Sequence, residues 1–191
     1  MKKFIFILFG VMCLAQWIVP GKMIYDSERI LEEGTVYKFK TAPIDPSDPF
    51  RGKYITLNFE QNFITFTDSL EWSTGQEIFV TFTGDSAGYA VPERAFHEQP
   101  QSKTYLRTNV EYVNYYGDNY KVQFRLPFDR LYLEESKASE AEKVYWQAQQ
   151  DSAQATYALV SIGDGQAVLK DVIINDKPIH DIINELNKDP E

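Results

Sequence analysis

Lys2 and Lys3 stand before sixteen residues, Phe4 to Val19, in which Gln16 is the one polar interruption. This opening limits the chain more than any other stretch, because so long an apolar run has no place on the surface of a water-soluble domain. As a helix it spans about 24 Å at about 1.5 Å per residue, slightly short of a hydrocarbon core of about 30 Å. Met23, Ile24 and Tyr25 add apolar length beyond Pro20 and Gly21. Lys22 can extend its stem along the interface, and Trp17 suits an interfacial position. A cleaved secretory signal is the competing reading, with Cys13-Leu14-Ala15 as its site and Gln16 as the new terminus. The apolar run continues past that point, however, and Met12 before Cys13 fits a lipoprotein signal poorly. Residues 1–22 are therefore expected to be an uncleaved anchor and 23–191 the domain it carries. Both readings place that domain outside the cytoplasm, because the lysine pair favours an N-inside orientation.

Charge narrows the partners. The chain holds 19 basic and 28 acidic residues, and the first 22 contribute only Lys2, Lys3 and Lys22. Residues 23–191 carry 16 basic against 28 acidic groups, a net −12, which repels phosphate backbones and excludes nucleic acid as an expected partner. A single cysteine excludes an internal disulfide, and with only two histidines a zinc or iron–sulfur centre is not expected. No cofactor is expected.

Patterning beyond the anchor is mostly that of strands. Ile24 to Glu33 reads as a short helix leaving the membrane, stopped by Gly34. Thr35 to Thr41 alternates as a first strand. Ala42 to Pro49, with Pro43, Pro46 and Pro49, reads as a stiff loop. Lys53 to Glu60 puts Ile55, Leu57 and Phe59 on one face and Tyr54, Thr56 and Asn58 on the other. Phe63 to Phe66 is a short apolar stretch, and Gln76 to Thr83 is a strand with Ile78, Val80 and Phe82 inward. Tyr112–Tyr116 and Tyr120–Leu126 flank a hairpin turn at Gly117-Asp118-Asn119. Glu134 to Gln150 has helical period, with Ala138, Ala141, Tyr145 and Ala148 as its apolar stripe. Thr156–Ile162 and Ala167–Ile174 form a hairpin across Gly163-Asp164-Gly165, and Asn175 to Lys177 is another turn. Pro178–Leu186 reads as a terminal helix with Ile179, Ile182, Ile183 and Leu186 at helical spacing. The expected fold is α+β, mainly antiparallel β, forming a sheet or small barrel that packs the amphipathic helix at 134–150. Two β-rich halves, 35–98 and 105–174, are a possible internal division.

Few residues announce chemistry. Glu134 and Glu135, with Glu140 and Glu142 nearby, invite a paired-carboxylate reading, but acids in the first turn of a helix are also what the helix dipole favours. Ser136-Lys137 is read as one exposed helical turn rather than a dyad. His97 and His180 are read as solvated loop histidines, and Asp45 and Asp48 as turn formers lacking calcium-loop spacing. Two segments resist dismissal. Arg51-Gly52-Lys53-Tyr54 leaves the proline loop and enters a strand. Pro127-Phe128-Asp129-Arg130-Leu131-Tyr132-Leu133-Glu134-Glu135 ends a strand and opens a helix. Arg51 and Arg130 are candidate anion or carboxylate partners, against the plainer alternative of a corner pinned by arginine and tyrosine.

The run Gly52-Lys53-Tyr54-Ile55-Thr56-Leu57-Asn58-Phe59 resembles the Gly-Asp-Tyr-x-x-Leu-x-Tyr signature of the bacterial GDYXXLXY protein family. Lys53 stands where the family has Asp, and Phe59 where it has the last Tyr. Thr41-Ala42-Pro43-Ile44-Asp45-Pro46, Gly75-Gln76, Pro127-Phe128-Asp129-Arg130 with Glu134-Glu135, and the closing hairpin extend the likeness over nearly the whole chain. The resemblance implies a single-anchor membrane protein and a multi-pass membrane partner. It implies no activity, so Arg51, Gly52, Tyr54 and Leu57 are signature positions, with Asp129, Arg130, Tyr132, Glu134 and Glu135 as further binding candidates.

Three functions fit these observations. A non-enzymatic accessory domain docking on a membrane partner or envelope component is favoured by the anchor and by the 12 tyrosines, a residue suited to interfaces. A hydrolase of an envelope polymer would use Glu134 or Glu135 with Asp129 or Tyr132, and needs two carboxylates converging in a cleft. Anion or small-ligand sensing would bring Arg51 and Arg130 into one pocket.

Overall fold

A computed structural model describes residues 2–43, 54–67, 72–117, 119–151 and 154–186. In chain order the elements are α1 (Lys2–Glu33), β1 (Thr35–Ala42), β2 (Tyr54–Thr56), β3 (Asn58–Phe59), β4 (Phe63–Phe66), β5 (Glu77–Gly84), β6 (Ala90–Phe96), β7 (Leu106–Tyr116), β8 (Asn119–Phe124), β9 (Arg130–Tyr132), α2 (Glu135–Gln150), β10 (Thr156–Gly163), β11 (Gln166–Ile174), β12 (Lys177–Pro178) and α3 (Ile179–Leu186). The strands form an antiparallel sheet ordered β12-β11-β10-β1-β3, another ordered β4-β8-β7-β5-β6, and the ribbon β2-β9. The α+β class, mainly antiparallel, is as the sequence predicts.

The apolar stretch expected to be an anchor and the segment expected to follow it as a separate short helix are one helix. α1 runs through Pro20 and Gly21 to Glu33, about 48 Å at about 1.5 Å per residue. Proline removes a single backbone donor, a loss that long apolar helices tolerate. Residues from Phe6 onward are long and apolar enough to cross a membrane, and the qualifying window is wholly unburied. The last turns of α1 touch the domain. Ile30 is buried there, its carbonyl accepts from the Ser161 hydroxyl and the Gly34 amide, and Arg29 pairs with Asp164 at 3.4 Å. A Cβ on Gly34 would stand 2.5 Å from both the Ile30 carbonyl and Ser161 Oγ, so glycine is required where the helix meets the sheet.

Turn chemistry sets the hairpins. Asp164 and Gly165 both take positive φ, 50° and 82°, between the paired residues Gly163 and Gln166. Asn175 and Asp176 do the same at 49° and 62° between Ile174 and Lys177. Both are two-residue turns of the kind whose twist matches that of antiparallel strands. Before the first of them β10, the middle strand of its sheet, is buried along almost its entire length, as expected of a central strand covered on both faces.

Both five-stranded sheets line one core. Phe39 is at its centre, its ring 6.0 Å from Phe59, 5.1 Å from Phe82 and 4.9 Å from Phe128. The stretches 35–98 and 105–174 do not make separate sheets, since each sheet takes strands from both. Ile78, Val80 and Phe82, expected inward on β5, and all four of the α2 stripe are buried; on β8 Val122 and Phe124 are buried and Tyr120 is half-buried at the hairpin end. In α3, Ile179 and Ile183 are buried while Leu186 is exposed, a correction to the predicted stripe explained by its position in the final turn.

The second sheet curls until its edge strands β4 and β6 approach one another. Stacked rings bridge that seam: Phe66 on Trp72 at 5.0 Å and Trp72 on His97 at 4.2 Å. His97 is thus exposed but engaged rather than simply solvated, its Nδ1 2.6 Å from the Gln76 amide nitrogen. β6 escapes the sequence pattern because Pro92, Glu93 and Arg94 interrupt it. Proline is tolerated on an edge, beside the irregular register between Thr81 and Phe82.

Candidate functional site

Tyr54, the described residue of the first segment that resisted dismissal, and the two residues after it pair with Arg130 to Tyr132 of the second. The strand expected over Lys53 to Glu60 breaks at Leu57. Its first part, β2, pairs with β9 in the register Tyr54 to Tyr132, Ile55 to Leu131 and Thr56 to Arg130. Its second part, β3, pairs with β1. Between them the Leu57 amide donates to the Asp129 carbonyl at 2.8 Å, so Leu57 passes between sheets with its side chain buried.

Alternation then decides which side chains face outward. Ile55 and Leu131 are directly opposite and buried. Tyr54 and Tyr132 share the other face, with ring centroids 5.6 Å apart. The Arg130 guanidinium lies 4.9 Å from the centre of the Tyr54 ring, and its Nε is 4.0 Å from Asp129 Oδ1. A hydrogen bond with Tyr132, then the charges of Tyr54 and Asp129, push the Arg130 pKa further up, holding the group as a cation. Tyr132 is 66% exposed. The result is an aromatic–cation face, backed by α2 packed on β2.

The carboxylates make no comparable arrangement. Glu134 caps α2 without a side-chain bond to the backbone, and its carboxylate lies on solvent 3.7 Å from Lys137. Asp129 is on solvent beside Arg130. Each acid faces its own neighbouring cation, which removes support from the hydrolase reading. Glu135 opens α2, and its side chain lies outside the described atoms, as does that of Ser136; Lys137 reaches Asn184 Oδ1 at 3.2 Å. Arg51, Gly52 and Lys53, together with Asp45 and Asp48, lie outside the described residues. His180 sits 3.3 Å from Asp171. Among the described residues no group of three or more histidine, cysteine or acidic side chains is placed to hold a metal.

Two features were not legible in the sequence. One is a buried polar cluster beneath α2. Thr41 Oγ1 and Thr156 Oγ1 are 2.8 Å apart, and the Gln149 amide nitrogen is 2.6 Å from each. The Tyr145 hydroxyl is buried beside Thr41 and Gln149 yet completes no hydrogen bond of good geometry. Burial raises its pKa to about 12, with those two dipoles partly offsetting the effect. Threonines more than a hundred residues apart give no pattern by which to find this cluster. The other is an open groove of about 630 Å³ lined by Glu77, Phe79, Gln99, Tyr105, Arg107 and Gln166 among others. Glu77 and Arg107 pair across it at 3.5 Å.

A family model described as GDYXXLXY protein matches residues 16–172, most of the chain and both halves of the β2–β9 ribbon. The chain belongs to the GDYXXLXY protein family. No curated protein and no solved structure matches it. Within the GDYXXLXY signature, Tyr54 supplies an exposed-face aromatic, Leu57 the buried crossing and Phe59 a core ring against Phe39 and Phe128. The signature therefore specifies both a structural hand-over and one side of the aromatic–cation face.

Proposed function

We propose that this GDYXXLXY protein is a single-pass, membrane-anchored accessory module. Its domain lies outside the cytoplasm and docks on a multi-pass membrane partner. The observation that carries this reading is the Tyr54–Arg130–Tyr132 face: two tyrosines and one arginine held together on solvent by strand pairing. Tyrosine and arginine are the residues most often found at the energetic centre of interfaces. The face is also preorganised, since backbone pairing and the packing of Arg130 on the Tyr54 ring fix it before any partner arrives, which lowers the ordering cost of association. The apolar helix α1 supports the anchor, and Lys2-Lys3 supports the N-inside orientation.

Gentle detergent extraction from native membranes, with a photocrosslinker at Tyr132, tests the docking. The expected result is a stoichiometric multi-pass protein crosslinked at Tyr132 and lost in Arg130→Ala. Recovery of the same partner from Arg130→Ala and Tyr132→Ala at wild-type yield refutes this face as the docking surface. A reporter active only in the periplasm, fused after residue 191, tests the topology, and a fusion that is produced but inactive overturns the placement.

A further inference from the structure

The outer face of the β7–β8 hairpin carries a constellation unrelated to the signature. Tyr112 pairs with Gln123, Asn114 with Lys121, and Tyr116 with Asn119. Residues directly opposite in antiparallel strands project to the same side. Val113, Val122 and Ile64 take the core side, so these six side chains form the outer one. Tyr112 and Tyr116 are 62% and 64% exposed. Four residues apart on one strand, they leave the backbone at points about 13 Å apart at about 3.3 Å per residue. Asn114 stands between them on β7, and the amides of Gln123 and Asn119 lie directly opposite them on β8. Lys121 is folded back, its ammonium 3.6 Å from the Phe63 ring centre. β7 begins beside the end of α1, where Leu106 bridges Gly165, and carries Tyr112 about 20 Å and Tyr116 about 33 Å from that junction by the same rise per residue.

We propose that this face binds a linear, uncharged polysaccharide, specifically a β-linked polymer of N-acetylated amino sugars. A pyranose ring has an apolar C–H face and a rim of hydroxyls. Exposed tyrosine rings receive the face, and neighbouring amides bond the rim and the acetamido groups, which match Asn and Gln in donors and acceptors. A sheet surface with aromatics at both ends of an amide-lined row suits an extended strand of such rings. Charge supports a neutral ligand: residues 112–123 carry Lys121 and Asp118 alone, a net of zero in a body of −12. A protein interface would be expected to concentrate its aromatics in a dry apolar centre, whereas here amides separate them. The biological reach of this inference rests on the extracytoplasmic placement proposed above, but the binding itself does not.

The test is co-sedimentation of the purified full-length protein, in detergent, with insoluble chitin, an uncharged β-linked polymer of N-acetylglucosamine. The wild type is expected to pellet with the polymer. Tyr112→Ala and Tyr116→Ala are each expected to weaken binding about tenfold, equivalent to about 1.4 kcal/mol, and Asn114→Ala to weaken it less. Tyr132→Ala, on the separate β2–β9 face, is expected to bind as the wild type does. Circular dichroism checks that each variant is folded, as expected for rings outside the core. A wild type that stays in solution with chitin overturns the proposal. So do tyrosine variants that pellet unchanged, or flotation with phosphatidylcholine vesicles that depends on the same tyrosines, which would make this face a membrane-interface belt. None of these outcomes bears on docking through Tyr132, so the two readings fail separately.

Discussion

Replacing Tyr145 by phenylalanine removes one oxygen atom and nothing else from the packed face of α2. The ring is 5% exposed, and its hydroxyl has no hydrogen-bond partner. A buried hydroxyl left unpaired is unfavourable by about 1–3 kcal/mol relative to a paired one, and the nearby Thr41 and Gln149 dipoles keep Tyr145 at the low end. At neutral pH Tyr145→Phe is thus expected to be as stable as the wild type or about 1 kcal/mol more stable. Alkaline conditions separate the two proteins further. Tyr145 titrates at about 12 when folded, against 10.0 for the exposed group. The folded state therefore holds this proton more tightly than the unfolded state. The contribution is fully present below pH 10 and is lost as pH rises through the folded pKa.

With pKa values of about 10 and about 12, the loss is about 1.4 kcal/mol at about pH 11 and approaches about 2.7 kcal/mol above about pH 13. The loss at about pH 11 corresponds to a fall of about 3–6 °C in Tm for a domain of this size. Burial also raises the pKa values of Tyr37 and Tyr157, so the wild type alone loses stability at high pH for several reasons. The difference between wild type and Tyr145→Phe isolates the one group. Urea denaturation of the full-length protein in detergent, followed by far-ultraviolet circular dichroism at about pH 8 and about pH 11, measures it. Tyrosinate absorbance on the same samples counts the groups that ionise before unfolding. Parallel losses in the two proteins would show that Tyr145 ionises without opposition and would refute the buried phenol. A variant markedly less stable at neutral pH would mean that the hydroxyl is paired after all.

Other substitutions probe the frame. Phe39→Ala removes the ring at the centre of both sheets and is expected to destabilise by about 3–5 kcal/mol, read as a lower urea midpoint. Leu57→Ala opens a cavity where the signature strand changes sheets, with an expected loss of about 2–5 kcal/mol; it should also release the Leu57 amide, seen as faster hydrogen exchange there. Gly34→Ala drives a methyl group against the Ile30 carbonyl, a backbone atom that cannot rotate away, and is expected to lower stability by about 1–3 kcal/mol. Since Gly34 joins α1 to the sheet at β1, proteolysis between Ile30 and Thr35 should quicken in that variant.

Periodicity made some of this structure readable and left the rest opaque for physical reasons. The α2 stripe of Ala138, Ala141, Tyr145 and Ala148 follows directly from helical spacing, because small residues at that interval have nowhere to go but against a sheet. The turns at Asp164-Gly165 and Asn175-Asp176 are equally legible, since few residues take positive φ at both turn positions. β9 is different. Three residues are too few for a period, and only the presence of Tyr54, Ile55 and Thr56 opposite makes Arg130–Tyr132 a strand. β6 hides behind Pro92, which an edge strand tolerates and a central strand does not. The Tyr145–Gln149–Thr41–Thr156 cluster depends on contacts spanning more than a hundred residues of chain, which no local pattern records.

The signature shows why a motif can be recognised before its purpose is understood. Read as one strand, Tyr54 to Phe59 has Ile55, Leu57 and Phe59 inward, and that alternation is correct. A single continuous strand would nevertheless leave Tyr54 merely on the surface. The break at Leu57 gives the spacing its meaning. The residues before it pair with β9, and the residues after it pair with β1. The Asp129 carbonyl occupies the gap by accepting the Leu57 amide. Phe59 then reaches the rings of Phe39 and Phe128 at 6.0 and 5.2 Å. Phe128 belongs to the same Pro-Phe-Asp-Arg segment that offers Asp129 and Arg130. The two sequence segments are therefore tied at three levels: a core ring pair, a backbone hydrogen bond, and the exposed Tyr54–Arg130 contact. A change in either segment disturbs the other, and the exposed face inherits its rigidity from the buried levels beneath it.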